Sequence, residues 1–203
     1  MPRAGFFAQL GMFAVPGFFD AAMCESLRNE MQSSPAIPAP VLSADNQARV
    51  DEDQRRTAKA LVSAATRTQV MSRLSELRHS LENHFGTPLS NYEPLSFLIY
   101  KEGYAFHRHT DSSRDPAAPA AIRERRVSVS IFLNGEGDRE NAQSYRGGSL
   151  TFYGSPANRD GASIPEISLA GEEGLLIGFR SDWAHAVKPI TRGVRYSIVT
   201  WFK

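Results

Sequence analysis

A chain of 203 residues is long enough for one sizeable core, since domains of this length bury roughly 70% of the surface their unfolded chains expose. Hydrophobic residues at 41% and charged residues at 22% exclude wholesale disorder. Lys plus Arg (23) nearly balances Asp plus Glu (22), which excludes the basic field that drives non-specific nucleic-acid binding, so DNA and RNA are not expected partners.

The amino terminus carries Phe6, Phe7, Leu10, Met12 and Phe13, but Arg3 is its one basic residue, and Pro16 and Gly17 interrupt the apolar run. Neither a signal peptide nor a membrane span is expected. The single cysteine, Cys24, lacks an internal partner and suits a reducing compartment, with the cytoplasm the expected location. A helix is predicted from residue 20 to about 33, capped by Asp20, with Met23, Leu27 and Met31 recurring on one face. Residues 34–56 hold Pro35, Pro38 and Pro40, then the charged run Asp51, Glu52, Asp53, Arg55 and Arg56; they read as a loop and a candidate lid. A second helix is predicted from residue 67 to about 85, with Val70, Leu74, Leu77 and Leu81 at helical spacing and Gly86 to end it.

From Pro94 onward the pattern changes to short β-type runs at 95–100, 127–133, 149–153, 164–169, 175–179, 184–190 and 194–202. Many short strands at this spacing predict a sandwich or barrel. The expected organisation is a single domain, with helical support over about 1–93 and a β core over about 94–203. Polar insertions at 112–125, 135–146 and 155–163 are long for a compact domain and are candidates for functional loops.

Chemistry concentrates in Phe106-His107-Arg108-His109-Thr110-Asp111. In an extended strand His107, His109 and Asp111 share a face, with successive members about 6.6 Å apart. Either adjacent pair can grip one metal, whereas His107 and Asp111, about 13 Å apart, cannot both do so, and one histidine is spare. Two histidines and one carboxylate on one side of iron(II) leave three positions open, so a further ligand is needed. His185 is the candidate; the alternative for it is a partly buried histidine hydrogen-bonded to backbone. His79 and His84 belong to the second predicted helix and are read as non-ligands. Arg195, ten residues beyond His185, sits in an otherwise apolar run and needs a partner, because an unpaired buried guanidinium is very costly. It shares a strand face with Ser197, and together they can hold a carboxylate; the alternative is an internal salt bridge.

Taken in order, Tyr100, His109-Thr110-Asp111, 127–134, Gly147-Gly148-Ser149-Leu150-Thr151-Phe152, 175–179 and His185 through Arg195-Tyr196-Ser197 to Trp201 resemble the 2-oxoglutarate and iron(II)-dependent dioxygenase superfamily, and within it the prolyl 4-hydroxylase-like branch. Val15-Pro16-Gly17-Phe18-Phe19 resembles the family's approach to its first helix. The resemblance implies a double-stranded β-helix (jelly-roll) buttressed by N-terminal helices. It implies His109, Asp111 and His185 as ligands of Fe(II), Arg195 as partner of the distal carboxylate of 2-oxoglutarate, and Tyr100 and Ser197 beside that cosubstrate. His107 is then the spare histidine. The implied reaction hydroxylates a C–H bond with O2 and converts 2-oxoglutarate to succinate, with ascorbate a candidate reductant. Phe132 stands where many prolyl hydroxylases place a tyrosine, which implies one hydrogen bond fewer to the cosubstrate. Lys188 lies at the wrong offset to replace Arg195.

The expected substrate is a prolyl residue in a peptide or protein, with an amino acid or metabolite as the alternative. A non-catalytic jelly-roll binding module and a cupin-like zinc or manganese isomerase are the rival classes, separated by metal analysis and cosubstrate turnover. Oligomeric state is not legible in the sequence.

Overall fold

The computed structural model describes residues 3–42, 47–137, 144–154 and 166–203. In chain order the first half contains α1 (Arg3–Gln9), β1 (Phe13–Val15), α2 (Ala21–Ser33), β2 (Ala36–Pro38), β3 (Val41–Leu42), β4 (Ala48–Arg49), β5 (Ala58–Ala60), α3 (Ala64–Glu76) and α4 (Arg78–Phe85). The second half contains β6 (Ser96–Tyr100), β7 (Phe106–His109), α5 (Ala120–Arg123), β8 (Val127–Phe132), β9 (Gly135–Glu136), β10 (Ser144–Gly147), β11 (Leu150–Tyr153), β12 (Glu166–Leu169), β13 (Leu176–Arg180), β14 (His185–Val187), β15 (Ile190–Arg192) and β16 (Arg195–Phe202).

Two antiparallel sheets form the jelly-roll, one of seven strands in the order β1-β13-β8-β16-β6-β5-β2 and one of four in the order β12-β11-β14-β7. The chain alternates between them, since β6, β8, β13 and β16 lie in the larger sheet while β7, β11, β12 and β14 lie in the smaller. Period-two alternation in the larger sheet serves two cores at once. Val127, Val129 and Ile131 on β8, with Phe97, Ile99, Tyr196, Ile198 and Phe202, join Leu27, Met31, Val70, Leu74 and Leu81 of the helices in one cluster. Facing the smaller sheet, Leu98, Tyr100, Phe132 and Ile177 pack with Leu150, Phe152, Phe179 and Val187 in a second. Ser128, Ser130, Arg195 and Ser197 occupy the same inward face and make one end of that interior polar.

The N-terminal elements depart from the sequence reading in instructive ways. Asp20 caps α2 as expected, accepting from the Met23 N–H at 2.8 Å. The single helix predicted over 67–85 is two helices meeting at Leu77, and it begins earlier because Ser63 caps α3. Gly86 ends α4 in the left-handed conformation. The expected loop 34–56 carries β2, β3 and β4, while 43–46 lie outside the described residues. The run predicted over 184–190 is two strands, interrupted at Lys188-Pro189 because proline has no N–H for a ladder. Of the strand predicted over 164–169, only 166–169 is described, as β12. The insertion at 155–163 lies wholly outside the described residues, and that at 135–146 partly so.

Candidate active site

β7 and β14 are antiparallel neighbours in the smaller sheet, and their register sets His109 opposite His185. The strand ends at His109, so Asp111 is carried by the loop that follows rather than by an extended strand. That turn brings ligand atoms closer than strand spacing permits: His109 Nε2 lies 3.5 Å from Asp111 Oδ1, and His185 Nε2 3.4 Å from Oδ2. One donor atom from each of the three residues lies within 4.8 Å of the others. The Asp111 and Ser112 N–H groups both donate to the Ser181 carbonyl at 2.9 Å, which pins the loop. Ser128 Oγ donates to Asp111 Oδ2 at 2.7 Å and lies 2.9 Å from Ser181 Oγ.

Each imidazole is oriented by its own strand. His109 Nδ1 lies 2.7 Å from the His107 carbonyl and His185 Nδ1 2.8 Å from that of Trp183. Those carbonyls hold the Nδ1 protons and leave both Nε2 lone pairs facing Asp111. Burial drives the His185 imidazole down to about 4, against the pull of Asp111. Burial also pushes the Asp111 carboxyl up, but His185, His109 and the Ser128 hydroxyl reverse this and hold it well below the usual carboxylate range. Two imidazole Nε2 atoms and an ionised carboxylate oxygen are the donor set that suits iron(II). His107 is exposed and contributes its carbonyl alone, while His79 is exposed on α4 and His84 packs against Phe13.

Asp111 and His185 share a cavity with Arg195, Ser197, Tyr100 and Ser128. Arg195 is 1% exposed and sits beside the Tyr100 and Phe132 rings, at 5.2 and 5.0 Å. Its Nε and Nη1, together with Ser197 Oγ and the Tyr145 hydroxyl, find no hydrogen-bond partner among the described residues. Leaving a buried guanidinium unsatisfied is costly, so the arrangement calls for an anion with several acceptor atoms. Tyr145, on β10, was hidden in a stretch that reads as a polar insertion. Burial raises its phenol pKa, opposed by the Arg195 charge beside it. Lys188 is directed elsewhere, paired with Glu166.

An outer cleft of about 430 Å³ adjoins this cavity, and Arg55, Phe106, Asp111 and Trp201 line both. Its remaining wall includes Pro40, Val41, Ala48 and Gln54, so the segment expected to be a lid does border the site. Arg125 forms the opposite rim, with a two-pronged bond to Glu93 at 2.8 and 2.7 Å, a bond to the Asp111 carbonyl at 3.1 Å, and the Trp201 ring 3.9 Å from its guanidinium carbon.

Residues 95–203 match the 2OG-Fe(II) oxygenase superfamily. The chain belongs to that superfamily. This oxygenase accordingly uses iron(II) and 2-oxoglutarate, and the His109–Asp111–His185 cluster fits the metal while the Arg195 cavity fits a dicarboxylate. The oxygenase is also similar to the PKHD-type hydroxylase YbiX of Shigella boydii, at 22% identity over 192 residues spanning 95% of this chain and 78% of that protein. In fold it resembles a prolyl-4-hydroxylase of Pseudomonas putida, with a TM-score of 0.69, 22% identity and coverage of 98% and 96% of the two chains. It likewise resembles a Trichoplax adhaerens prolyl hydroxylase solved with a hypoxia-inducible-factor peptide fragment, with a TM-score of 0.67, 19% identity and coverage of 98% and 86%.

Among the described residues no helix is long and apolar enough to cross a membrane. Sequence reasoning missed Ser128, Ser181, Tyr145 and Arg55, whose places at the site depend on pairings between distant strands.

Proposed function

We propose that this oxygenase hydroxylates a prolyl residue in a peptide or protein, coupled to decarboxylation of 2-oxoglutarate to succinate. The observation that carries the reading is the buried, unsatisfied Arg195 on the same cavity wall as Asp111 and His185. His109, Asp111 and His185 hold iron(II) in this reading, and Arg195 with Ser197 receives the distal carboxylate of 2-oxoglutarate. Tyr100 borders the cosubstrate, and the unpartnered Tyr145 hydroxyl, beside the Arg195 charge, donates to the same distal carboxylate in this reading and so supplies the phenol that Phe132 lacks. Iron(II) bound there supplies oxygen activation at the expense of the keto acid. The protein's own part is to aim both imidazoles, to keep His185 neutral by burial, to keep Asp111 ionised through Ser128, and to exclude water behind Phe179 and Leu150. A prolyl substrate is supported by the fold shared with two prolyl hydroxylases and by the cleft faces of Phe106, Ile122 and Trp201, which suit a pyrrolidine ring.

The test incubates iron-loaded protein, 2-oxoglutarate, ascorbate and oxygen with a library of proline-containing peptides and, separately, free amino acids. A peptide that gains one oxygen atom on proline, in step with succinate release, is the expected result. Oxygen gained only by free amino acids would replace the prolyl reading with a small-molecule one.

A further inference from the structure

The outer cleft contains two cations that none of its described residues neutralises. Arg55 is 8% exposed, yet among the described residues its guanidinium meets only the Pro40 carbonyl (Nη1 to O 3.3 Å) and the Phe106 ring at 4.7 Å. Its Nε has no hydrogen-bond partner among the described residues. Lys59, half-buried on β5, makes no ion pair among the described residues. Burial lowers the pKa of its ammonium, and the charges of Arg55 and Arg67 lower it further. Arg125, the third cation of the cleft, is already paired with Glu93, and the one carboxylate among the described lining residues is Asp111, a proposed metal ligand. Two like charges held in a partly desolvated cleft are unfavourable until an anion joins them. The position is beside the reacting centre, because Arg55 lines both cavities and the Phe106 ring beneath it stacks on His109 at 3.6 Å.

We infer that Arg55 and Lys59 form a carboxylate-reading subsite, and that the substrate is a peptide with an acidic side chain next to the residue hydroxylated. This rests on the peptidyl reading above. Lys59 lines the outer cleft and not the inner cavity, which separates this subsite from the Arg195 site for the cosubstrate. A peptide is favoured over a free amino acid because Arg125 also borders a second depression of about 270 Å³, lined by Arg114, Arg123, Arg126 and Arg180. Asp182 is the one carboxylate among its described lining residues, so an extended acidic segment finds further counter-charge there.

The test measures fluorescence anisotropy of labelled proline peptides on the full chain loaded with manganese(II) and 2-oxoglutarate without oxygen. The probes carry Glu, Gln or Lys on both sides of proline; L-proline and a single-stranded RNA oligonucleotide serve as competitors. The Glu probe is expected to bind about tenfold more tightly than the Gln probe, a gap that Lys59→Gln or Arg55→Gln narrows to within about twofold. Lys59→Glu is expected to favour the Lys probe instead. Equal binding of Glu and Gln probes, or a gap that survives both substitutions, overturns the inference. So does stronger competition by RNA, or Lys59-dependent binding of L-proline alone. If no probe binds while the same protein, reloaded with iron(II) and given oxygen, releases succinate, the acidic-peptide inference falls and the oxygenase reading stands; if succinate is also absent then, both fall.

Discussion

The proposed role of His185 as a metal ligand requires a neutral ring that offers Nε2, and burial at 5% exposure favours that state. Its folded pKa of about 4 lies below the unfolded value, so between about pH 6.5 and 4 the unfolded chain binds a proton that the folded chain refuses. Stability of the metal-free protein is therefore expected to fall as pH drops through that window, by about 3 kcal/mol in total. Asp111 adds to the loss in more acid solution, since its depressed pKa contributes stability that disappears as the carboxylate protonates. Thermal melts across this range check the sign; a melting temperature that holds steady down to pH 4 contradicts it. At the other end of the cavity, Tyr145→Phe removes the phenol beside Arg195 and is expected to raise the KM for 2-oxoglutarate about tenfold, the worth of one charge-assisted hydrogen bond. The candidates His109, Asp111, His185 and Arg195 were legible because chemistry-bearing residue types stand out in apolar β-runs, and the fold brings the first three together and buries the fourth. Strand spacing alone left either histidine able to pair with Asp111, and only the family resemblance chose His109; in the fold the strand ends at His109 and the chain turns before Asp111, so it is His109 that clusters with Asp111 and His185.

Among the elements, β6, β8, β13 and β16 of the larger sheet were the most readable, because their two faces serve different cores and period-two alternation survives in the sequence, whereas its outer strands β1, β2 and β5 are too short to show it. The break between α3 and α4 left no comparable mark, since Val70, Leu74 and Leu81 keep facing the sheet on both sides of it. Nor did the hairpins inside 34–56, which depend on pairing with β5 and with each other. Gly147-Gly148 joins β10 to β11 at positive φ, where a side chain on Gly147 would stand 2.4 Å from the Pro189 carbonyl oxygen. Gly147→Ala is expected to cost about 3 kcal/mol in denaturant unfolding, whereas Gly137→Ala, which meets nothing within 4 Å, stays within about 0.5 kcal/mol. Equal effects from both would show that the turn adapts.

At the scale of the whole molecule, the helices cover the outer face of the larger sheet and leave the polar end of the interior to the His109–Asp111–His185 cluster. Cys24 sits at 0% exposure in that helical layer, where burial pushes its thiol up to about 11. Its labelling by thiol reagents is thus expected to track unfolding and to slow when iron(II) and 2-oxoglutarate bind, because ligands that bind only the native state stabilise it. The most direct measurement is succinate formation from 2-oxoglutarate with iron(II) and oxygen, comparing wild type with Asp111→Ala, His185→Ala and Arg195→Ala. Wild type is expected to turn over the keto acid, the two ligand variants to be inactive, and Arg195→Ala to need about a hundredfold more 2-oxoglutarate, as loss of a two-pronged ion pair requires. Folded, iron-loaded wild type that neither binds nor consumes 2-oxoglutarate would contradict the account, as would an Arg195→Ala protein with unchanged demand for it.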